Sequence, residues 1–232
     1  MSKLIEKLKK EFDVDKVYKW HGYVNDSREK NVVKIVENAA KFTSLTPSYL
    51  CTIAVGEGLG LWIEDSYAAS SPHNVRVNDS IDGFDYLGVD HFAADFNRTK
   101  KYLPKDYNLG DEYNTVSRIN EHGNTVQSAS FKNLQAGLQA LAATIALRKQ
   151  LFLTHCKELG YIKDYGNPTK EQEAFWTYVY FQGEGRAKGY LKDNKGYNYL
   201  KAPPGLMNQI RTLALERVAA WKFLQSKKIF TS

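Results

Sequence analysis

Apolar residues recur at helical spacing along most of this chain. At the start, Leu4, Ile5, Leu8 and Phe12 share one face, and residues 1–43 read as two helices joined through the turn GYVNDS (Gly22 to Ser27). Thr46 followed by Pro47 is a start signal, a capping hydroxyl and then the residue that fits a first helical turn. From there Leu50, Ile53, Ala54 and Glu57 fall at i, i+3, i+4 and i+7. A long helix is predicted from Ser130 to Leu159, carried by Leu134, Leu138, Leu141, Ile145 and Leu151 or Phe152. Another runs from Glu171 to Phe181, then a Gly183-Glu184-Gly185 turn, and Arg186 opens a short one. After Pro203-Pro204 a last helix extends from about Gly205 to Ser226.

Between Ser66 and Gln127 the pattern loosens. Ser70-Ser71-Pro72, Asn78-Asp79-Ser80, Asp82-Gly83 and Leu103-Pro104-Lys105-Asp106 punctuate it. The expectation there is a long irregular region with a short helix around Val89 to Leu103 and little room for strands. Loops of such length inside a domain usually carry function. The fold class expected is mainly α, with residues 1–43 as an N-terminal helical extension and 44–232 as one domain.

Glu57 is the position that raises a chemical question. It shares the apolar face of its helix and is followed by Gly58 and Gly60, residues that end helices. Partial burial and the negative end of the helix dipole would both raise its pKa, as a general acid near neutral pH requires. A glutamate near a helix end that is simply solvated is the plainer alternative. The glycines do not make a phosphate loop. GEGLGL has Leu61 where G-x-G-x-x-G needs its last glycine, and no Lys-Ser/Thr pair follows.

Composition narrows the classes. At 232 residues, with 43% hydrophobic and 13% aromatic content, the chain has the makings of a sizeable folded core. Fifteen tyrosines suit grooves that bind sugars or peptides as well as cores. No apolar run approaches the roughly 20 residues that span a bilayer, and MSKLIEKLKKEF has neither the apolar centre nor the cleavage site of a secretory signal. Cys51 and Cys156 read as buried thiols, with a disulfide or a Cys-His site as the lesser alternative. His21, His73, His91, His122 and His155 are scattered, so neither metal nor other cofactor is expected. From Arg186 onward ten Lys/Arg face two acids (Asp193 and Glu216), so +8 of the net +6 lies there and the rest is near −2. That basic third favours a polyanion, whether nucleic acid, anionic lipid or an acidic cell-wall polymer, with a solvated helix face as the plainer alternative. Nucleic acid is not the expected partner, because no helix–turn–helix spacing, zinc-ligand set or RNP-like strand motif is present.

Three segments carry a resemblance. Tyr180-Phe181-Gln182-Gly183-Glu184-Gly185-Arg186-Ala187-Lys188-Gly189-Tyr190-Leu191 resembles the Tyr-Asn-Ala-Gly-x-Gly-Arg-Val-x-x-Tyr-Leu stretch of soluble lytic transglycosylases and goose-type lysozymes. NLQAGLQAL (Asn133 to Leu141) resembles that family's preceding helix, Asn-Ile-x-Ala-Gly-x-x-Tyr-Leu, and TPSYLCTIAVGEGLG resembles its catalytic helix, which leads to Glu-Ser-Gly. The matches occur in the family's order and span Thr46 to Leu191. The departures are Gly58 in place of Ser, Phe181 and Gln182 in place of Asn-Ala, and Gly88-Val89-Asp90-His91 as an echo of Gly-Leu-Met-Gln. The longer spacing from Glu57 to Gly88 implies an insertion.

The resemblance implies a lysozyme-like helical domain over 44–232 that cleaves peptidoglycan glycan strands, as a lytic transglycosylase or a muramidase. Glu57 would be the catalytic acid, with Tyr180, Gln182 and Gly183 lining the cleft. A transglycosylase needs one carboxylate, which protonates the leaving oxygen and then takes the proton of the sugar's own 6-hydroxyl. A hydrolase needs a second, and Glu64, Asp65, Asp82, Asp85 and Asp90 are the acids in reach, Asp85 and Asp90 being favoured by aromatic, glycine-containing surroundings. The departures fit a divergent phage or contractile-injection-system branch, acting as a monomer on the wall after lysis, holin release or particle delivery. The alternative is a non-catalytic lysozyme-like module that binds the wall or builds such a particle.

Overall fold

The computed structural model describes residues 32–56, 95–119, 123, 125–131, 134–160, 169–193, 199–228 and 230. Seven α-helices and one hairpin are described: α1 (Val32–Ala40), α2 (Pro47–Gly56), α3 (Leu109–Glu112), β1 (Tyr113–Ile119), β2 (Thr125–Phe131), α4 (Leu134–Glu158), α5 (Lys170–Phe181), α6 (Glu184–Asp193) and α7 (Leu206–Ser226). Residues 95–99 are also helical and run into a 3-10 turn, Lys100–Tyr102. The mainly α class therefore holds for the described residues.

The spine is α4, about 37 Å long at 1.5 Å per residue. Its first half is rich in alanine: Ala136, Ala140, Ala142, Ala143 and Ala146 are all buried, interleaved with Leu138, Leu141 and Ile145. Small side chains on every face let neighbours approach from several directions, and α1 and α5 both pack against it. Val36, Ala39 and Ala40 of α1 join the same apolar core as α2 and α4. The second half carries the aromatic layer. Phe152 stacks on Trp176 of α5 with ring centroids 5.8 Å apart and planes 10° from parallel, and Tyr190 of α6 leans on Trp176 at 5.2 Å. Helix α7 closes the assembly over α5 and α2.

Local sequence explains the element limits. Thr169 caps α5 in a reciprocal box, its hydroxyl accepting from the Gln172 amide while the Gln172 side chain accepts from the Thr169 amide. At α2 the Thr46 hydroxyl accepts from the Tyr49 amide. The expected stripe on α2 proves to be more than a stripe. Leu50, Ile53 and Ala54 are buried, but so are Ser48, Tyr49, Cys51 and Thr52. With α1, α4 and α7 all packed on it, this helix is wrapped on every side. Spacing along it therefore does not by itself select a functional face.

The region expected to lack strands holds the hairpin. Its register pairs Tyr113 with Phe131 and Ile119 with Thr125, so Ser130 and Phe131, expected in the long helix, belong to β2. The missed signal is β-branched content (Thr115, Val116, Ile119, Thr125, Val126) around His122-Gly123-Asn124, with Gly123 at φ 77° supplying the turn. Polar Ser, Gln and Asn between those residues hid the alternation.

Candidate functional site

The α5–α6 junction is the best-defined part of the proposed cleft. Gly183 sits between the two helices at φ 145°, a conformation that L side chains avoid. An added Cβ there would meet nothing within 4 Å, so conformation and not crowding requires the glycine. Its carbonyl accepts from the Ala187 amide and starts α6, while its own amide donates to Tyr180. Gln182 is the half-buried C-cap of α5, its amide donating to the Tyr178 and Tyr180 carbonyls.

Tyr180 points into the protein. It is fully buried, and its hydroxyl lies 2.9 Å from Nδ1 of His155 on α4. On the far side of the imidazole, Nε2 is 3.7 Å from Glu184 of α6. Burial, followed by Cys156, Glu184 and Glu158, pushes the Tyr180 hydroxyl well above its usual pKa, so it remains an O–H donor. The consistent tautomer has Nδ1 accepting from Tyr180 and Nε2–H turned to Glu184. Glu184 is in turn held by Arg98 at 3.3 Å and Arg148 at 3.6 Å, and both arginines share Asp95, at 3.1 and 2.7 Å respectively. Lys188 of α6 pairs with Glu158 of α4 at 2.8 Å. The motif residue Glu184 thus ties α6 to α4 and to the helical segment at 95–99.

His155 makes this network sensitive to pH. Burial, then Lys188, hold its pKa below the ordinary value, with Arg98 acting in the same sense and Glu158 and Glu184 against them. The fold therefore binds that proton less readily than the unfolded chain does. The neutral ring's contribution is complete above pH 6.5 and declines as pH falls through that value toward the folded pKa. In urea titrations at pH 7.5 and 5.5, wild-type stability is expected to drop at the lower pH, and His155→Gln, which still offers an acceptor to Tyr180, is expected to drop less. Equal losses in the two proteins would remove His155 as the cause.

A second cluster joins α2, α5 and α7. Arg217 of α7 is only 8% exposed. Its guanidinium stands over the Tyr178 ring at 5.5 Å, and Nη2 is 3.5 Å from the Gly56 carbonyl in the last turn of α2. A Cβ on Gly56 would collide with that guanidinium, so the glycine makes room for the arginine. The spacing along α7 carries the burial of this arginine but not its partners. Ile210, Ala214, Arg217, Trp221 and Leu224 are all buried at i, i+4, i+7, i+11 and i+14 of α7, and an arginine on such a stripe is a buried one. Arg217→Met keeps the stem but removes the charge. A loss of about 1–2 kcal/mol of stability is expected, read from the urea midpoint, because a desolvated cation–π contact and a carbonyl partner both disappear. An unchanged midpoint would show the guanidinium to be energetically idle.

Among the sequence-derived site residues, Tyr180, Gln182 and Gly183 come together at one junction. Glu57, Asp85 and Asp90 lie outside the described residues, as do Glu64, Asp65 and Asp82. Glu57 follows Gly56 by a single peptide bond, so it is attached to the backbone against which Arg217 rests. Cys51 and Cys156 are free and buried, and burial pushes both thiols up to about 12, which keeps them protonated. Among the described residues no group of His, Cys, Asp and Glu is placed to hold a metal ion, and no helix is long and apolar enough to cross a membrane. Several cations of the basic third are engaged in the fold: Arg217 as above, Lys188 with Glu158, Lys222 with Glu171 at 3.3 Å, and Arg211 donating to the Leu200 carbonyl. No protein-family model, curated protein or solved structure matches the chain.

Proposed function

We propose that this chain is a lysozyme-like protein that cleaves the glycan strands of peptidoglycan, with Glu57 as the general acid. One observation supports this reading most: the helices that carry the three segments resembling the transglycosylase motifs pack into one bundle. Helix α2 lies against α4, and α4 lies against α5 and α6. Arg217 connects the last described turn of α2 to Tyr178, two residues before Tyr180. Convergence of segments separated by more than a hundred residues is what a shared cleft requires, and a chance likeness of short motifs does not demand it.

In the proposed reaction Glu57 protonates the glycosidic oxygen. It then takes a proton either from the sugar's own 6-hydroxyl, giving an anhydro product, or from water. The second route calls for another carboxylate, for which Asp85 and Asp90 are the candidates. Tyr180 acts from behind the cleft in this reading, as a buried hydroxyl whose bond to His155 fixes the α4–α5 pairing, and Gln182 and Gly183 form the wall. The remaining basic surface would hold the protein near anionic wall polymers.

A specific observation favours the non-catalytic reading as the second. A buried guanidinium beside the backbone that leads to Glu57 is a natural partner for a structural carboxylate, and an ion pair there would fix the chain without chemistry. Clearing of purified sacculi in a zymogram separates the two. Clearing by the wild type supports the enzyme, and mass spectrometry of the released muropeptides then distinguishes anhydro ends from reducing ends. Sacculus binding without clearing supports the wall-binding module.

A further inference from the structure

The opposite end of α2 carries a cavity that the glycan-cleaving reading does not use. It encloses about 170 Å³ where the turn at Ser44–Thr46 and Tyr49 of α2 meet Lys149 of α4, the Lys170 to Thr177 face of α5, and Trp221 of α7. The floor is aromatic and already ordered. Tyr49 and Trp221 pack edge to face at 6.1 Å, the Tyr49 hydroxyl donates to the Ala174 carbonyl at 2.8 Å, and the Trp221 indole donates to the Ser48 and Thr46 hydroxyls at 3.2 and 3.3 Å. These bonds hold the walls in place without anything bound.

The rim is charged and unevenly so. Lys149 reaches Glu173 at 2.8 Å and the Ser44 carbonyl at 3.3 Å, which neutralises that carboxylate. Lys170 also lines the cavity and is exposed, and it forms no ion pair among the described residues. Two ammonium groups against one carboxylate leave one positive charge in excess, at the N-terminal end of a ten-residue helix. Thr177 supplies the independent observation. It is 1% exposed, it lines the cavity, and its hydroxyl makes no hydrogen bond among the described residues. That hydroxyl keeps a little accessible surface, and the surface opens into the cavity that the residue lines, where a ligand oxygen could meet it.

We infer that this cavity binds a small carboxylate with a short apolar tail, of amino-acid size. The carboxylate would take Lys170 and the Thr177 hydroxyl, and the tail would lie against Leu45, Ala174 and Tyr49. A sulfate or phosphate would gain less from those apolar walls. The inference is independent of any activity of Glu57, since the site lies at the other end of α2.

Amide NMR titration of the whole chain at constant ionic strength tests it, with sodium acetate and alanine as probes and acetamide as the neutral isostere. Saturable shifts are expected at Thr46, Ala174, Thr177 and the Trp221 indole for acetate and alanine. Lys170→Met and Thr177→Val are each expected to weaken the binding roughly tenfold, the loss of one charge-assisted hydrogen bond. Alanyl-alanine, run alongside, distinguishes a peptide terminus from a free amino acid by which shifts at lower concentration. Shifts that do not saturate, or that survive both substitutions unchanged, would overturn the proposal. So would acetamide binding as well as acetate, which would mean an apolar cavity indifferent to charge.

Discussion

Glu57→Gln is expected to lower the rate of sacculus clearing by about 10²–10⁴-fold, the contribution of one positioned general acid, while the far-ultraviolet dichroism and thermal midpoint stay near wild type. The amide is nearly isosteric with the carboxyl, so packing and donor–acceptor geometry change little. What disappears is the proton. A glycosidic oxygen leaves poorly as an alkoxide, and the side chain that the structure places on the Gly56 carbonyl is no replacement acid, since the Arg217 guanidinium does not release protons at accessible pH. Arg217 is the polar side chain that the structure places on the Gly56 carbonyl, one residue before Glu57. Equal clearing by the two proteins would sink the role given to Glu57 while leaving the cleft itself in place. Clearing by neither would favour the non-catalytic reading.

The helices were legible because their signals are local. Thr46-Pro47, the Thr169 to Gln172 box and the glycine before Leu206 each fix a start within one or two residues. The α5–α6 elbow was legible as well, since Gly183 at φ 145° is a backbone demand that the sequence states openly. The hairpin was not, because its strands alternate β-branched residues with Ser, Asn and Gln in place of a clean apolar face. The two charged clusters were hidden for a different reason. His155 sits three residues after Phe152 and one before Cys156, and Arg217 lies between Ala214 and Trp221, each in the apolar period of its helix. Period analysis records such a residue as an interruption. Only the partners brought from other helices, Tyr180 and Glu184 for one and Tyr178 and Gly56 for the other, turn it into a site. Asp82, Asp85 and Asp90 fall in the region where sequence punctuation was densest, and like Glu57, Glu64 and Asp65 they lie outside the described residues.

Trp176→Ala is expected to destabilise the fold by about 3–5 kcal/mol, the range for removing a large aromatic from a packed core. Trp176 is fully buried, stacked on Phe152 and in contact with Phe175 at 5.4 Å and Tyr190 at 5.2 Å, so it binds α4, α5 and α6 into one layer. Removing the indole opens a cavity bounded by three other rings, which cannot collapse without tilting the α4–α5 pair. Trp176→Phe separates two contributions. It loses part of the stacking area, but it also deletes a buried indole N–H that has no hydrogen-bond partner among the described residues, a group whose desolvation costs about 1–3 kcal/mol. The two terms oppose each other, so the phenylalanine variant is expected within about 1.5 kcal/mol of wild type in urea unfolding. Similar losses for both variants would mean that the indole nitrogen is satisfied in solution, by water or by a rearranged carbonyl. A small loss for alanine would mean that the aromatic layer does not couple α4 to α6. Because Tyr180 and Glu184 lie in the two helices that Trp176 joins, a large loss for alanine should be accompanied by loss of the His155-dependent pH limb, which the same titrations would record.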